Sequence, residues 1–395
     1  MNLIFFDDSK TKQLYPLTYT RPAADLRCGI LTVSKKWESR LQTKQSSYYT
    51  SKTLSKKFEA HTEEQNILIN GRLLPNKQIT EEIKQLKPGE FLCKGETVLS
   101  ASVNKSQALQ FKETLKPETI VETIADFSII NHSWDIFRLN GSEIENDFHL
   151  LTAGRKSQKI SSTNRYLQPE RIFIEKGAKL EFSTLNPAGG YIYIGRNAEI
   201  MENVSVRGAL AMGENALIKM GAKIYGPTTL GEYCKVGGEV NNTVFHSYSN
   251  KGHDGFLGNA VIGQWCNMGA DTNNSNLKNN YDQVKMWDYD QERFLRTGLQ
   301  FCGLIMGDHT KTGINTMLNT GTVLGVSSNI YGPGFPRNFV PSFSWGGAAG
   351  FKEYNYKKAL KTAEIMMARR TIDLDTTEQD ILSNIFEETK KFRRF

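Results

Sequence analysis

The stretch "IGRNAEIMENVSVRGALAMGENALIKMGAKIYGPTTLGEYCKV", residues 194–236, has an apolar side chain at every sixth position. These leading residues are Ile194, Ile200, Val206, Met212, Ile218, Ile224, Leu230 and Val236. A second series of small or apolar residues follows four positions behind each, from Ala198 to Val240. A period of six fits neither a helix nor a plain alternating strand, but it fits a parallel β-helix of one strand and one turn per hexad. The stretch therefore predicts a solenoid with its leading residues inside and its small residues at the corners.

The same period extends over residues 166–345, which we predict to be the solenoid domain. It has precursors at Ile174 and Leu180, returns at Ile262 and Met268, and returns again from Met306 to Ile330. Two interruptions, 241–260 and 273–301, are expected to be loops. The second contains "VKMWDYDQERFLRTG", whose two strand-like runs around a polar turn predict a hairpin.

The flanking segments lack this repeat. Residues 1–165 alternate strand-like runs ("LIFF", "NILIN", "IVETI") with helical ones such as "DFSIINHSWDIFRLNGSEIENDF", which predicts an α/β domain. Residues 346–395 predict two helices: the first presents an apolar face around Ala363, and the second begins with a capping box from Thr376 to Gln379. A chain of 395 residues is long enough for several such domains.

Composition and charge restrict the function classes. No apolar run reaches the roughly 18 residues of a membrane helix, and the first residues do not resemble a signal peptide, so we expect a cytoplasmic protein without a membrane partner. The net charge of +7 suits an anionic small molecule, and the scattered basic residues do not predict nucleic-acid binding. The five cysteines are far apart without a CxxC pair, which predicts neither disulfides nor a zinc knuckle, and Cys234 and Cys266 fit solenoid corners.

One histidine stands in a distinctive place. The segment "NKGHDGFLGNAVIGQWCNMGADTNNSN", residues 250–276, puts His253 in an interruption of the repeat. It resembles the active-site coil of the bifunctional UDP-N-acetylglucosamine pyrophosphorylase / glucosamine-1-phosphate N-acetyltransferase family, where a K-x-G-H-L-x-Y-L-G-D-x-x-I-G run precedes N-x-G-A-G-T-x-x-x-N. The stretches "PLTYTRPAADLRCGI", "WDIFRLNG" and "SNKGHDGFLGN" resemble the divergent form of this family from Bacteroidetes-type bacteria.

The resemblance implies a left-handed β-helix, a homotrimer, and N-acetylation of glucosamine-1-phosphate by acetyl-CoA for cell-envelope precursor synthesis. It implies that His253 is the general base, which suits an imidazole because that group accepts a proton at neutral pH. It further implies these roles: an oxyanion donor at Ala270; sugar contacts at Asn267, Asn276 and Phe256; and donor binding around Gly269, Ala270, Gly313 and Thr316.

Two positions depart from the family pattern. The family's tyrosine is Phe256 here, and its phosphate-binding lysine falls near Asn241 and Asn242. For the sugar phosphate the sequence therefore offers Lys223, Lys251 and Lys278 as candidates. The acyl group and the hexosamine stay open.

The N-terminal domain resembles sugar nucleotidyltransferases around "YPLTYTRPAADL" but departs where their chemistry lies. "LIFF" leads into "DDSKTKQLY" without a glycine-rich loop, Ala23 stands where a phosphate-binding lysine is expected, and Arg72 stands where a metal-binding aspartate is expected. Two readings stay open. Either the domain uses UTP and Mg²⁺ through a rebuilt site, or it has become a binding module. The candidates for a rebuilt site are Asp7, Asp8, Lys10, Lys12, Arg21, Asp25 and Arg27.

Two other function classes are compatible with the solenoid. One is a non-enzymatic regulator or scaffold that binds a sugar nucleotide, and the intact His253 segment distinguishes the enzyme from it. The other is a β-helical carbonic anhydrase, which needs three zinc-binding histidines. The spacing of His246, His253 and His309 does not suit that site.

Overall fold

The computed structural model describes residues 2–43, 46–111 and 119–395. These form two compact units, one of residues 2–14, 20–26 and 31–131, and one of residues 15–19, 27–30 and 132–395. The fold class predicted from the sequence is confirmed: an α/β unit, a parallel β-solenoid and C-terminal helices. The boundaries predicted at 165/166 and 345/346 stay a prediction.

The first unit is built on a six-stranded mixed sheet. In sheet order its strands are Ser46–Tyr49, Asn2–Phe6, Gln65–Asn70, Thr97–Asn104, Glu90–Lys94 and Thr119–Glu122. Three helices accompany the sheet, Val33–Leu41, Lys77–Lys84 and Lys105–Phe111, and Leu73–Leu74 pairs with Ser128–Ile129. The three strand-like runs of the sequence are therefore strands, and apolar side chains such as Ile4, Leu68 and Phe91 form the core.

The solenoid of the second unit stacks short strands into three parallel ladders. The first ladder contains Arg165–Tyr166, Thr184–Asn186, Ser205–Arg207 and Lys223–Tyr225, and the second contains Ile172–Ile174, Ile192–Ile194, Leu210–Met212, Thr228–Leu230, Leu304–Met306, Thr322–Leu324 and Phe339–Val340. Two longer strands, Glu239–Phe245 and Phe256–Ile262, pair with each other. A separate pair joins Asn273–Asn274 to Met317–Leu318.

The third ladder positions the candidate site. Its strands are Lys179–Leu180, Glu199–Ile200, Leu217–Ile218, Lys235–Val236, Asn250–Lys251, Asn267–Met268, Lys311–Thr312, Asn329–Ile330 and Ser344–Gly347, followed by the antiparallel Gly350–Glu353. Each short strand turns one side chain inward and one outward.

The interior of the solenoid matches the hexad prediction. All eight leading residues from Ile194 to Val236 are at most 2% exposed, and the small series from Ala198 to Val240 is equally buried. Cys234 and Cys266 are fully buried, as corner positions require. The pattern could be predicted because a narrow interior admits only apolar or small side chains at these positions.

The interruption at 241–260 is not the long loop that we predicted. The chain passes through Glu239–Phe245, Asn250–Lys251 and Phe256–Ile262, and all three strands pair with neighbouring coils. Two short segments connect these strands, His246–Ser249 and Gly252–Gly255, and we call the second one the His253 loop. The apolar period is lost here because the coil from Val236 to its ladder partner Lys251 is three residues shorter than the coil from Ile218 to Val236, while the backbone pairing continues. The predicted hairpin is confirmed as Lys285–Asp288 paired with Arg293–Arg296.

Three α-helices belong to the second unit: Asp135–Thr152, Tyr356–Ala368 and Thr376–Glu388. The first begins later than "DFSIINHSWDIF" suggested, because Ser128–Ile129 is a strand. The last is capped one residue before the predicted Thr376, because the Asp375 carboxylate accepts the Glu378 N–H. Short 3₁₀ helices occupy Ser9–Leu14, Leu17–Tyr19, Ala23–Asp25, Pro169–Arg171, Pro187–Gly189 and Thr389–Phe392. No helix within the described ranges is long and apolar enough to cross a membrane.

Candidate functional site

A groove of about 700 Å³ runs along the third ladder. His253, Asn267, Gly269 and Ala270 all line it, so the structure brings together four of the residues that the resemblance singled out. The His253 side chain is exposed to solvent. Met366, from helix Tyr356–Ala368, also lines the groove.

The pairing of strands on the third ladder determines which side chains form the floor of the groove. Lys235 pairs with Asn250, Asn250 with Asn267, and Asn267 with Lys311, so one column of outward positions carries two lysines and two asparagines. Because alternate residues of a strand face opposite sides, the polar residue of each coil points away from the core. The groove therefore offers a continuous row of hydrogen-bonding groups beside His253.

The His253 loop is held at several backbone positions. The Asp254 carbonyl accepts the Asp271 N–H at 3.0 Å, and the Gly255 carbonyl accepts the Glu239 N–H at 3.3 Å. Gly255 has φ +110°, and a Cβ there would lie 2.4 Å from the Thr272 oxygen, so this glycine is required by the backbone. At Gly252 a Cβ would meet open space. Steric contacts therefore require a glycine at position 255 but not at position 252.

Neighbouring coils approach closely under Ala270. A Cβ on Gly269 would lie 2.5 Å from the Gly313 backbone, so Gly269 and Gly313 permit close stacking. The Ala270 carbonyl accepts the Asn315 N–H at 2.8 Å, which fixes this turn. Gly313 therefore supports the groove through the backbone, whereas the neighbouring Ile314 lines it.

Five cationic side chains line the groove: Lys219, Lys235, Lys311, Arg369 and Arg370. Among the described residues that line it there is no carboxylate. Burial, with the nearby charges of Arg370, Lys219 and Arg369, lowers the pKa of Lys235. Burial also lowers the pKa of Lys311 to about 8. Like charges gathered in this way repel one another and favour an anionic ligand.

Stacked aromatic rings stand beside these cations. Tyr248 stacks on Trp265 with ring centroids 4.3 Å apart and on Tyr233 at 5.3 Å, and the Arg370 guanidinium lies 5.6 Å from the Tyr233 ring centre. All three aromatic residues have φ between 56° and 59°, so they occupy one repeated corner of successive coils. Neither this aromatic column nor the five cations was predicted from the sequence. The recurring aromatic residue was a usable signal, whereas the approach of Arg369 and Arg370 depends on helix packing.

Other predicted residues lie outside the groove. Lys223 is exposed on the first ladder, and Lys278 donates to the Gln283 carbonyl beside the hairpin. Asn276 donates to Asn259 Oδ1 at 2.8 Å, and the buried Thr316 hydroxyl donates to the Gly313 carbonyl. The Phe256 N–H donates to Asn273 Oδ1. These residues are not brought to His253 by the contacts of this chain.

Lys251 is placed differently from the phosphate-binding candidate that the sequence suggested. It is 1% exposed, and its ammonium donates to two backbone carbonyls, of Gly237 and His253. Its side chain lies inside the solenoid because Lys251 follows the outward Asn250 on the strand. The structure therefore removes Lys251 from the candidates for direct contact with a phosphate in the groove.

In the first unit, Asp8 is engaged by a buried arginine. Arg72 is 0% exposed, and its Nε and Nη2 donate to the two Asp8 oxygens at 3.0 and 2.6 Å. Asn70 also donates to Asp8 at 2.9 Å. Burial favours the neutral acid, but the hydrogen bonds and charge of Arg72 outweigh it and lower the pKa of Asp8. The pair occupies the strand end at which the resemblance to sugar nucleotidyltransferases would place a metal-binding aspartate.

Asp7 has a separate set of partners. Its carboxyl group accepts hydrogen bonds from the Ala23 N–H and the Thr50 hydroxyl. Burial raises the pKa of Asp7 to about 6, although these two hydrogen bonds oppose the shift. Sequence reasoning missed Thr50 and Asn70 because neither is adjacent to the aspartates along the chain.

These residues do not fit a magnesium ion. The Asp8 oxygens already accept from Arg72 and Asn70, both Asp7 oxygens accept protein hydrogen bonds, and the Arg72 cation would repel a second positive charge. Of the other candidates, Lys10 and Lys12 are exposed, Arg21 is buried and Asp25 is partly buried. Arg27 belongs to the second unit, where it forms an ion pair with Glu232.

One family model matches the N-terminal part of the chain. A family model described as sugar nucleotidyl transferase matches residues 3–156, which is less than half of the chain. No curated protein sequence gives a match.

Several solved structures align with the chain at low similarity. A UDP-N-acetylglucosamine acyltransferase, LpxA, from Bacteroides fragilis 9343 is 16% identical with a TM-score of 0.32, and the alignment covers 58% of this chain and 91% of that one. The corresponding acyltransferase from Campylobacter jejuni is 14% identical with a TM-score of 0.30, covering 59% and 95%. The polySia specific acetyltransferase NeuO is 13% identical with a TM-score of 0.24, covering 49% and 83%.

The three histidines considered for a carbonic anhydrase zinc site differ in burial. His246 and His309 are buried, whereas His253 is exposed. Within the ranges that the structure describes, no three His, Cys, Asp or Glu side chains form a group that could hold a metal ion.

Proposed function

We propose that the solenoid unit transfers the acetyl group of acetyl-CoA to the amino group of glucosamine-1-phosphate. The observation that carries this proposal is the presence of His253, Asn267, Gly269 and Ala270 along one groove that is lined by cations. An exposed imidazole is accessible to an amine, and the cations suit a substrate and a donor that both carry phosphate.

The residues suggest a simple sequence of proton and acyl transfer. The amine attacks the thioester carbonyl while the His253 imidazole accepts its proton, and the tetrahedral oxyanion faces the backbone N–H of Ala270. Collapse of the oxyanion breaks the carbon–sulfur bond, and the imidazolium returns the proton to the departing thiolate. The products are the amide and free coenzyme A, and the imidazole is regenerated.

For the first unit we propose binding of a sugar nucleotide or UTP without magnesium-dependent transfer. The match of residues 3–156 to a sugar nucleotidyl transferase family supports recognition of such a ligand. The Asp8–Arg72 pair stands against a metal at this place. Homotrimeric assembly and a role in cell-envelope synthesis also belong to this proposal, since both derive from the resemblance.

The test is an assay of both half-reactions by product mass. The protein is incubated with glucosamine-1-phosphate and acetyl-CoA, then with UTP and Mg²⁺. We expect N-acetylglucosamine-1-phosphate in the first step, and no pyrophosphate in the second. His253→Ala should lower acetyl transfer by roughly 10²–10⁴-fold, as for loss of a positioned general base, with an unchanged melting temperature.

Two results would count against the proposal. Parental acetyl transfer by His253→Ala would remove His253 from the chemistry. Binding of a sugar nucleotide by a parent protein that acetylates no amino-sugar phosphate would favour the non-enzymatic regulator instead. A matched control is His149→Ala, which removes a partly exposed imidazole on helix Asp135–Thr152 and should leave acetyl transfer intact.

A further inference from the structure

A charged side chain lies in the core of the solenoid. On the third ladder the inward positions run Ile200, Ile218, Val236 and Lys251 in paired register, and Met268 and Thr312 continue the ladder. Lys251 is 1% exposed. It belongs to the strand that immediately precedes the His253 loop.

The ammonium of Lys251 connects two turns of the chain. Its Nζ donates to the Gly237 carbonyl at 3.0 Å and to the His253 carbonyl at 2.9 Å. The Lys251 carbonyl itself accepts the Gly237 N–H at 2.6 Å. Main-chain and side-chain hydrogen bonds together therefore hold the His253 peptide against the preceding coil.

Stability of the fold does not require a lysine at this position. Burial disfavours the ammonium and lowers the pKa of Lys251 to about 8, although Asp254, Asp271 and Glu239 partly oppose the shift. The neighbouring inward side chains, Val236 and Met268, show that an aliphatic residue suits the ladder. A buried charge that is replaced by an apolar side chain of similar volume is often neutral or stabilising.

The other hydrogen bonds of the His253 loop are made by residues that follow His253 in the chain. Asp254 and Gly255 accept hydrogen bonds through their carbonyls, and the Phe256 N–H donates to Asn273 Oδ1 at 2.7 Å. The contact made by Lys251 acts on the His253 peptide itself. It thereby restricts the backbone from which the imidazole projects into the groove.

We propose that Lys251 is a positioning residue, whose buried ammonium fixes the His253 peptide so that the imidazole is held at the groove. The catalytic part of this inference rests on the proposed function of His253, whereas the ordering of the loop does not. Fixing the base reduces the number of orientations that must be lost before reaction. Misplacement by about 1 Å can lower a rate by about 10²-fold.

The experiment compares Lys251→Met with the parent and with Ile218→Met. Methionine fills the inward position without donating hydrogen bonds, and Ile218→Met makes a volume-conserving change on the same ladder away from the loop. For Lys251→Met we expect kcat for acetyl transfer to fall by about 10–100-fold, with KM for both substrates within twofold. The melting temperature should stay within a few degrees of the parent, and Ile218→Met should keep the parental kcat.

A second readout is independent of catalysis. Amide hydrogen exchange of residues 252–256 should accelerate at least tenfold in Lys251→Met and not in Ile218→Met. Unchanged exchange would overturn the inference whatever the activity. Accelerated exchange in a protein without acetyl transfer would support the loop-ordering role and contradict the proposed function alone. If Lys251→Met fails to fold, Lys251→Gln serves as the second variant, because its shorter, neutral side chain loses the ammonium that bridges the Gly237 and His253 carbonyls; accelerated exchange of residues 252–256 would support the inference and parental exchange would overturn it.

Discussion

The two charged regions of this molecule differ in how their charges are matched. In the groove of the second unit, five cations stand together and no carboxylate lines the described surface. In the first unit, Asp8 is matched by Arg72, and Asp7 accepts from Thr50 and Ala23. Charges of one sign that are crowded at a surface are stabilised by a ligand, whereas charges that are paired internally stabilise the protein without one.

This difference shows that a family resemblance in sequence does not determine what each side chain contacts. Both regions resemble catalytic sites in the sequence, and the groove keeps its polar groups directed toward space that a ligand can occupy. In the first unit, by contrast, the carboxylates of Asp7 and Asp8 accept hydrogen bonds from other residues of the same unit. Substitutions should therefore affect binding in the groove and stability in the first unit.

The largest effect is expected for Arg72→Met. Removing the arginine leaves the Asp8 carboxylate without its ionic partner, so the free energy of unfolding of the first unit should fall by about 3–5 kcal/mol. Amide hydrogen exchange of strands Asn2–Phe6 and Gln65–Asn70 under native conditions measures this loss.

Two further variants sharpen the Arg72 experiment. The double variant Arg72→Met, Asp8→Asn should recover part of the loss, because no buried carboxylate is left unpaired. Lys84→Met breaks the exposed pair with Glu81 and should cost less than about 1 kcal/mol. A loss for Arg72→Met no larger than that of Lys84→Met would contradict an internal structural role.

A smaller effect, on binding rather than stability, is expected for the double variant Arg369→Gln, Arg370→Gln. Loss of two charged donors should raise KM for acetyl-CoA about tenfold at low salt, and the difference should shrink as salt screens the charges. The melting temperature should stay or rise, since repulsion with Lys235 decreases.

The control for the groove is Lys357→Gln, Lys358→Gln. These two exposed lysines lie on helix Tyr356–Ala368, which directly precedes Arg369 and Arg370; they do not line the groove, and they give the same change of net charge. An equal rise of KM in both double variants would show a general effect of net charge and would contradict specific binding by Arg369 and Arg370.

The sequence predicted those parts of the fold that a local pattern determines. Ile218 and Cys234 could be placed inside the solenoid because each coil repeats the same restriction on size and polarity. The pattern failed at the coil that ends at Lys251, because this coil is three residues shorter than the one before it and carries a charged residue at an inward position, and it was predicted to be a loop. A polar residue can keep an inward register when carbonyls of neighbouring turns accept its hydrogen bonds.

The candidate site was predictable only where its residues are neighbours in sequence or register. His253, Asn267, Gly269 and Ala270, which the motif singled out, lie along one groove. Arg369 and Arg370 could not be assigned to the groove from the sequence, because their approach to Lys235 depends on the packing of a helix more than 100 residues away in the sequence. In the first unit, Arg72 and Asp8 are 64 residues apart, so no local spacing indicated their ion pair.

The smallest expected effect concerns the pH dependence of stability at Asp7. Because the folded pKa of Asp7 is about 6 and its ordinary value is 3.8, the folded state binds more protons than the unfolded state between these pH values. Its contribution is therefore fully present below about pH 4 and is lost as the pH rises through about 6. Asp7→Asn should remove this decline, while Asp8→Asn should remove a contribution of opposite sign, since the folded pKa of Asp8 is lowered. Denaturant unfolding from about pH 2 to 7, followed by exchange in strand Asn2–Phe6, measures both slopes, because the contribution of Asp8 changes below its ordinary pKa of 3.8. If Asp7→Asn and the parent lose stability in parallel across this range, Asp7 ionises near its ordinary pKa and the raised pKa is contradicted.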